Sequence, residues 1–422
     1  MPDKKSLTWG SYAYYVLSAV MLLGTVYVLI GCVTANAAGK RSKKAPDMQL
    51  HAGQNELIVA AYNVLNLFDT QYDEGKEDYT FLPSGTEIPG TGKKKEDFCG
   101  TMTGYYKQQC LETNWTEAHF QHKLKQIKKA VGAIGDLPDL LGIEEIENEN
   151  AARELASVLG YGTNYYITNS PDHRGIDVAL LYRGDKLELL GEPYEIKLTG
   201  ENFPPSFNEK PTRNILRMQF KPKGNADIVL SVYVNHWPSQ AATAKTLKRM
   251  LTAEALKKDI DAETKRIGKE KHYVIALGDF NTLLREVPNA FNNVIQDPKW
   301  ENAMVDAQDL AIEADQRFMR RMPPGTYFYY GDRTWNKLDR LLFSANFNDR
   351  KGIELQPKSF RIVAPDFLMA KEPFAVNDPE AFLNGSVFSK IPVGYNFLSL
   401  EEDTAGYSDH LPVAVKVTLA ER

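Results

Sequence analysis

Near the middle of the chain, Val274-Ile275-Ala276-Leu277 runs into Gly278-Asp279-Phe280-Asn281. A continuous apolar run of this kind predicts a strand buried on both faces. Its tip carries a carboxylate and a carboxamide two residues apart, which extended backbone points the same way. Two readings stay open on this stretch alone. One is an acid and an amide side by side on the floor of a reaction site; the other is an Asx turn that closes the strand. The habit recurs along the chain. Asn63 ends the predicted strand Leu57–Tyr62, Glu145 follows Leu140–Ile143, and His236 follows Ile228–Asn235. Asp339 lies in the predicted strand Leu338–Phe343, and Asp409-His410 precedes Leu411–Leu419. Acids beside histidines supply proton transfer.

These residues need strands to position them. Besides those named, Ile176–Tyr182, Tyr327–Tyr330 and Ile353–Ile362 read as strands. His119–Ile134 reads as a helix, because Phe120, Leu124, Ile127, Val131 and Ile134 share a face. Its lysines 123, 125, 128 and 129 are expected on the solvated side, and His119 and His122 on the surface. Ala151–Leu159, stopped by Gly160, and the charged stretch from Ala241 to about Ile267 are further helices. Residues 70–118 form a polar, glycine-rich insertion without periodicity. The alternation of strands and helices predicts an α/β fold with mixed sheets.

The chain has 422 residues and a formal net charge of −5. That balance does not favour nonspecific coating of duplex DNA, which needs a basic face. Cys99 and Cys110 bracket a short polar loop, and a disulfide between them requires an oxidising compartment. Residues 6–39 carry no charge and follow Lys4 and Lys5, the pattern of a secretory signal. Leu29-Ile30-Gly31-Cys32 resembles a bacterial lipobox, which would lipidate the third cysteine. An uncleaved helical anchor and free secretion after Ala35-Asn36-Ala37 are the alternatives. Beyond an anchor, Lys40, Arg41, Lys43 and Lys44 favour a cytoplasmic side for the remaining chain. The expected organisation is a signal peptide or membrane anchor at 1–37, a polar tether at 38–55 and one domain at 56–422.

The segments Tyr62-Asn63-Val64, Gly142-Ile143-Glu144-Glu145, Asn235-His236, Gly278-Asp279-Phe280-Asn281, Leu338-Asp339-Arg340 and Ser408-Asp409-His410 occur in this order. Together they resemble the endonuclease/exonuclease/phosphatase superfamily. The resemblance implies a four-layer α/β sandwich, two mixed β-sheets packed face to face with helices outside. It also implies phosphodiester hydrolysis with a divalent cation, usually Mg2+, with Mn2+ or Ca2+ as substitutes. By the same resemblance Glu145 binds the metal with Asn63 and Asp409 close by, and Asp279 orients or deprotonates the attacking water. Asn281 helps place water and phosphate, His410 contacts the scissile phosphate and is oriented by Asp339, and His236 is the second catalytic histidine of the deoxyribonuclease branch.

Two positions depart from the pattern. Leu65 stands where abasic-site endonucleases carry an aspartate, and Glu144 where many members have glutamine. Arg174 and Arg213 are candidates for phosphate contact, with a surface ion pair as the alternative. The expected function is an exported or membrane-tethered nuclease, acting as a monomer, with nucleic acid as substrate and a membrane met through the N-terminus. The rivals are a phospholipid-headgroup phosphodiesterase of sphingomyelinase type and a non-catalytic binding protein that retains the fold.

Overall fold

The first strand, β1 (Glu56–Leu67), is buried along most of its length, as its run of valine, alanine and isoleucine dictates. The computed structural model describes residues 48–420 apart from 202, 225–226, 241–243 and 378–388. After β1 the insertion folds into a hairpin, β2 (Glu87–Ile88) and β3 (Lys93–Lys94), and two short helices, α1 (Lys95–Cys99) and α2 (Gly104–Glu112). Next come α3 (Glu117–Gly132), β4 (Leu140–Ile146), α4 (Glu149–Leu159), β5 (Tyr165–Ile167) and β6 (Asp177–Tyr182). The middle of the chain supplies β7 (Leu187–Leu189), β8 (Tyr194–Ile196), α5 (Pro205–Glu209), β9 (Ile215–Pro222), β10 (Val229–His236), α6 (Ala244–Ile267) and β11 (His272–Asp279). The last part supplies β12 (Met304–Asp306), α7 (Ala307–Met319), β13 (Tyr327–Tyr329), β14 (Thr334–Asn336), β15 (Asp339–Ser344), β16 (Ile353–Ile362), α8 (Glu402–Ala405) and β17 (Val413–Leu419).

Two mixed sheets result. One has the order β16-β17-β1-β4-β6-β5; the other has β12-β15-β11-β10-β9-β7, with β8 also on β9. β1 pairs β4, and β10 pairs β11, in parallel. The sheets pack through β1 and β4 of one against β10 and β11 of the other. The approach is close: a Cβ on Gly142 would come within 2.1 Å of Leu277 Cδ1, so a larger residue there would require Leu277 to shift. α3 and α4 pack outside the first sheet, and α6 outside the second. This is the α/β sandwich with helices outside that the motifs imply.

Local chemistry explains the helices. On α3 the residues Phe120, Leu124, Ile127 and Val131 are buried, and burying each apolar side chain contributes about 1.5–3 kcal/mol. His119 Nδ1 lies 2.8 Å from Thr116 Oγ1 at the start of that helix, so this histidine is a capping residue. Asn148 accepts the Ala151 amide to cap α4, and Gly160 ends it in the left-handed region at φ 95°.

Several expectations change. Residues 70–118 are ordered by α1, α2 and a Cys99–Cys110 disulfide with Cα atoms 5.5 Å apart. Lys123 is not solvated but fully buried, because it sits three residues after Phe120 on the inner face of α3. The last strand starts at Val413 rather than Leu411. β9 and α7 have no counterpart among the expected elements, although β9 shows the in–out alternation of an antiparallel strand. Residues 48–55 lie against the domain: Leu50 is buried and its amide donates to Ile134 O at 2.7 Å. The expected signal or anchor at 1–37, with Cys32, and the first part of the tether lie outside the described residues, as do positions 241–243 of the expected helix from Ala241. Among the described residues no helix is long and apolar enough to cross a membrane.

Candidate active site

Strand register gathers the polar residues at one end of both sheets. His236 pairs with Asp279, and Asp279 with Asp339, so β10, β11 and β15 present them in one row. In the other sheet Asn63 lies opposite Glu144. A regular strand would send Glu144 and Glu145 to opposite faces. Here the register slips between Glu144 and Ile146, and Glu145 takes φ 64°. Such a bulge re-aims a side chain, and a non-glycine residue held there is a feature of functional sites. Glu145 therefore reaches the cleft while Glu144 stays wholly buried beneath it.

Glu144 is the lower layer. Neither of its carboxyl oxygens has a hydrogen-bond partner, and burial, then the nearby Asp339 and Asp279, push its pKa well above the usual range. Glu144 is therefore held as a neutral carboxyl beneath the cleft. Gly278 must be glycine above it: its φ is +118°, and a Cβ would meet Asn235 O at 2.2 Å and Glu144 Oε1 at 2.7 Å.

Above this layer the acids and amides interlock. Asn63 Nδ2 lies 3.3 Å from both Glu145 Oε1 and Asp279 Oδ2, and Asn63 Oδ1 accepts the Leu65 amide at 3.0 Å. The amide nitrogen of Asn63, not its oxygen, thus faces the carboxylates. Asn281 takes φ 47°, its N–H donates to Asp279 Oδ1 at 2.8 Å and its Nδ2 to Oδ2 at 2.9 Å. At Gly278-Asp279-Phe280-Asn281 an Asx turn closes the strand and sets the acid beside the amide. Ser408 Oγ donates to Asn63 O at 2.7 Å and accepts the His410 amide at 3.1 Å, which ties the final loop to β1.

The two histidines have opposite character. His410 Nδ1 lies 2.7 Å from Asp339 Oδ2, and its Nε2 is 4.0 Å from Asp279 Oδ2. Burial opposes the charge on His410, yet the Asp339 carboxylate, helped by Asp409 and Asp279, holds its pKa well above the usual value. His236 Nε2 sits 3.7 Å from Asp279 Oδ2 and 3.8 Å from Glu145 Oε1, too far for hydrogen bonds. Burial, with Arg213 and Arg174 nearby, keeps it neutral. Burial raises Asp279 to about 7 against the pull of His410, which suits a general base at neutral pH.

Arg174 and Arg213 meet at a corner on one buried carboxylate: exposed Arg174 makes the surface ion pair, and buried Arg213 backs it from inside. Buried Asp172 accepts Arg174 Nε at 3.1 Å and Nη2 at 3.0 Å, and Arg213 Nη1 at 3.4 Å. Burial alone would raise Asp172, but the two guanidinium groups bring it down to about 2. Arg213 Nη2 also donates to Trp237 O at 2.6 Å, the carbonyl that Asn281 Nδ2 reaches at 3.2 Å. The corner is therefore wired to the acid–amide turn.

The donor set fits a hard divalent cation that keeps several waters. Asp409 Oδ1 is buried without a partner, and burial, against the pull of His410 and with Glu145 adding repulsion, raises the Asp409 pKa. Glu145 and Asp409 are the carboxylates that would hold such an ion, since magnesium is held through one or two carboxylates. Among the described residues no three His, Cys, Asp or Glu side chains form a closed metal cage. Lys123 is a site residue that the motifs do not include. Its ammonium donates to Leu65 O and lies over the Tyr395 and Phe397 rings at 4.3 and 4.7 Å; burial lowers its pKa to about 7 against the pull of Glu145 and Asp409. Asp172 and Tyr327 also stand outside the motifs. The ring of Tyr327 lies 4.8 Å from that of His410. The signal for Asp172 is its place two residues before Arg174.

The chain belongs to the endonuclease/exonuclease/phosphatase family, whose model matches residues 105–419. Members of this family are generally hydrolases acting on phosphoester bonds, and its nucleases usually depend on a divalent metal. Among solved structures the chain is similar to the human Nocturnin catalytic domain with bound sulfate, at 16% identity over 71% of this chain and 87% of that one, with TM-score 0.44. It is also similar to a family protein from Bacteroides thetaiotaomicron, at 13% identity over 87% and 98%, with TM-score 0.47. A third is Danio rerio TDP2 complexed with a single-strand DNA product, at 13% identity over 86% and 99%, with TM-score 0.44. The sequence has no significant match among curated proteins.

Proposed function

We propose that this protein is an exported or membrane-tethered, divalent-metal-dependent phosphodiesterase acting on nucleic acid. The observation that carries the hydrolase reading is the charge order across the cleft. Glu145 and Asp409 face a place for a cation, Asp279 stands ready to take a proton, and cationic His410 lies 4.0 Å from Asp279. Glu145 and Asp409 would hold the ion, with Asn63 keeping Glu145 and Asp279 in place. A bound divalent cation offsets charge on the phosphate and lowers the pKa of a coordinated water. The protein's own groups do the rest. Asp279, fixed by Asn281 and Asn63, accepts the proton of the attacking water. His410, fixed by Asp339, meets the negative charge that builds on phosphorus-bound oxygens. Neutral His236 offers a hydrogen bond without adding charge beside the acids.

Nucleic acid is favoured over a lipid headgroup by the rim. Tyr105 and Tyr106 are 70% and 72% exposed on α2, and Tyr106 lies within electrostatic reach of Arg174. Exposed rings beside a phosphate-binding corner suit bases that stack as their backbone is held. The Cys99–Cys110 disulfide supports export, because such bonds persist in oxidising compartments. A panel of plasmid DNA, RNA, sphingomyelin, inositol phosphates and a chromogenic phosphodiester, each with magnesium, calcium or chelator, tests the proposal. Cleavage of DNA or RNA only with metal is the expected result. Cleavage of sphingomyelin alone replaces the substrate, and inactivity on every member returns the binding-protein reading.

A further inference from the structure

We infer that the Tyr327 hydroxyl donates a hydrogen bond to a non-bridging oxygen of the scissile phosphate, beside His410. This rests on the reading of the cleft as a phosphodiesterase site. Tyr327 opens β13 and forms a bridge with His410, and the two rings lie 4.8 Å apart at an interplanar angle of 39°. The backbone that carries it is held from three sides. Thr326 N–H donates to Asn336 O at 3.0 Å, Leu411 N–H donates to Thr326 O at 2.8 Å, and Thr326 Oγ1 accepts the Asp339 amide at 3.1 Å. Phe328 packs on Trp335 behind it, with ring centroids 5.5 Å apart. One hairpin therefore fixes Tyr327, Asp339 and His410 relative to each other.

The hydroxyl itself is unspent. Three other buried tyrosines give theirs to protein oxygens, Tyr161 to Pro138 O, Tyr233 to Asp259 and Tyr273 to Lys351 O, whereas the Tyr62 hydroxyl is sealed in the core without a partner. Among the described residues nothing pairs with the Tyr327 hydroxyl. It is half-buried, and burial, then the charges of Asp409, Asp279 and Glu145, keep it protonated. A phenol held neutral among carboxylates, beside a cationic imidazole, is a donor waiting for an oxygen the protein does not supply. The oxyanion of a phosphate seated between the cation place and His410 meets that need. A donor preset where charge develops strengthens in the transition state, so it acts on kcat more than on KM.

The test compares wild type with Tyr327→Phe, which keeps the ring on His410 and removes only the hydroxyl. The full chain is assayed on a chromogenic phosphodiester, and orthovanadate binding is measured by calorimetry with magnesium present, since vanadate adopts the trigonal bipyramid of the reacting phosphorus. Losing one preset donor lowers kcat by about 10²-fold, so that loss is expected with KM and Tm little changed and with vanadate bound at least about tenfold more weakly. Equal vanadate affinity in the two proteins overturns the assignment, whether or not turnover is seen, and leaves Tyr327 as packing. A wild type that hydrolyses no phosphodiester removes the functional reading instead, and the vanadate comparison still decides the tyrosine.

Discussion

Two groups of buried and half-buried acids differ in what surrounds them. In the cleft, Glu145, Asp279, Asp339 and Asp409 are met by His410, His236, Lys123 and the Arg174–Arg213 corner. Just beyond β1, Asp69, Asp73, Asp78 and Glu147 are met mainly by amides. Asn148 Nδ2 lies 3.3 Å from Asp69 Oδ2 and from both oxygens of Asp73, Asn150 Nδ2 donates to Asp69 at 2.8 Å, and backbone N–H groups of Asp69 and Asp73 donate to Glu147 and Asp78. Burial raises Asp78 to about 7 and Glu147 well above its usual range, and their acidic neighbours add to the rise. The residue types are the same. What differs is the partner: cationic and imidazole side chains face the acids of the cleft, whereas amide donors face the acids beyond β1.

The largest expected effect comes from removing the counter-charge of the cleft. His410→Ala should lower kcat by about 10³-fold, and Asp339→Ala by a similar order, with KM changing less. Because Asp339 acts through His410, the double variant should be little worse than His410→Ala. Kinetics normalised to folded fraction checks this. Strictly additive losses, or a near-normal kcat in Asp339→Ala, would break the pairing.

Next comes the cation place. Glu145→Gln removes one of two anionic ligands and should raise the magnesium concentration for half-maximal rate by at least about tenfold. A magnesium titration of the rate reads it out. Wild type that is fully active in excess chelator would show that no ion is needed there. The corner should respond differently. Arg174→Met should raise KM by about tenfold and leave kcat within about threefold, because it holds substrate in ground and transition states alike. A fall in kcat with unchanged KM would instead place Arg174 at the reacting phosphate.

The smallest effect belongs to the second acid group and sharpens the contrast. Asp78 has a folded pKa of about 7, above the 3.8 of an unperturbed aspartate. The folded protein therefore keeps a proton that the unfolded chain gives up, and stability falls as pH rises from about 4 to about 7. Asp78→Asn removes that loss. Its gain in unfolding free energy over wild type should be on the order of 1–2 kcal/mol larger at pH 8 than at pH 4.5. Denaturant unfolding at the two pH values measures it, and a gain independent of pH would show that Asp78 is ionised when folded.

What is legible in the chain is local. The apolar runs announce β1, β4, β10 and β11, and the polar residues at their tips announce the site, because strand burial and side-chain alternation are written residue by residue. Short strands such as β5, β7 and β12 are not legible, since three residues carry too little periodicity to stand out. Lys123 reads as solvent-facing because a lysine is normally exposed; its burial depends on a carbonyl and two aromatic rings contributed from distant parts of the chain.

By itself the sequence determined the list of reactive groups and the strands that carry them. Only the tertiary structure decided which of two adjacent glutamates faces the cleft, which histidine is charged, and that Tyr327 stands beside His410. The reason is physical. A side chain's identity is covalent and local, whereas its direction and its charge depend on bulges, register and neighbouring charges brought from far along the chain.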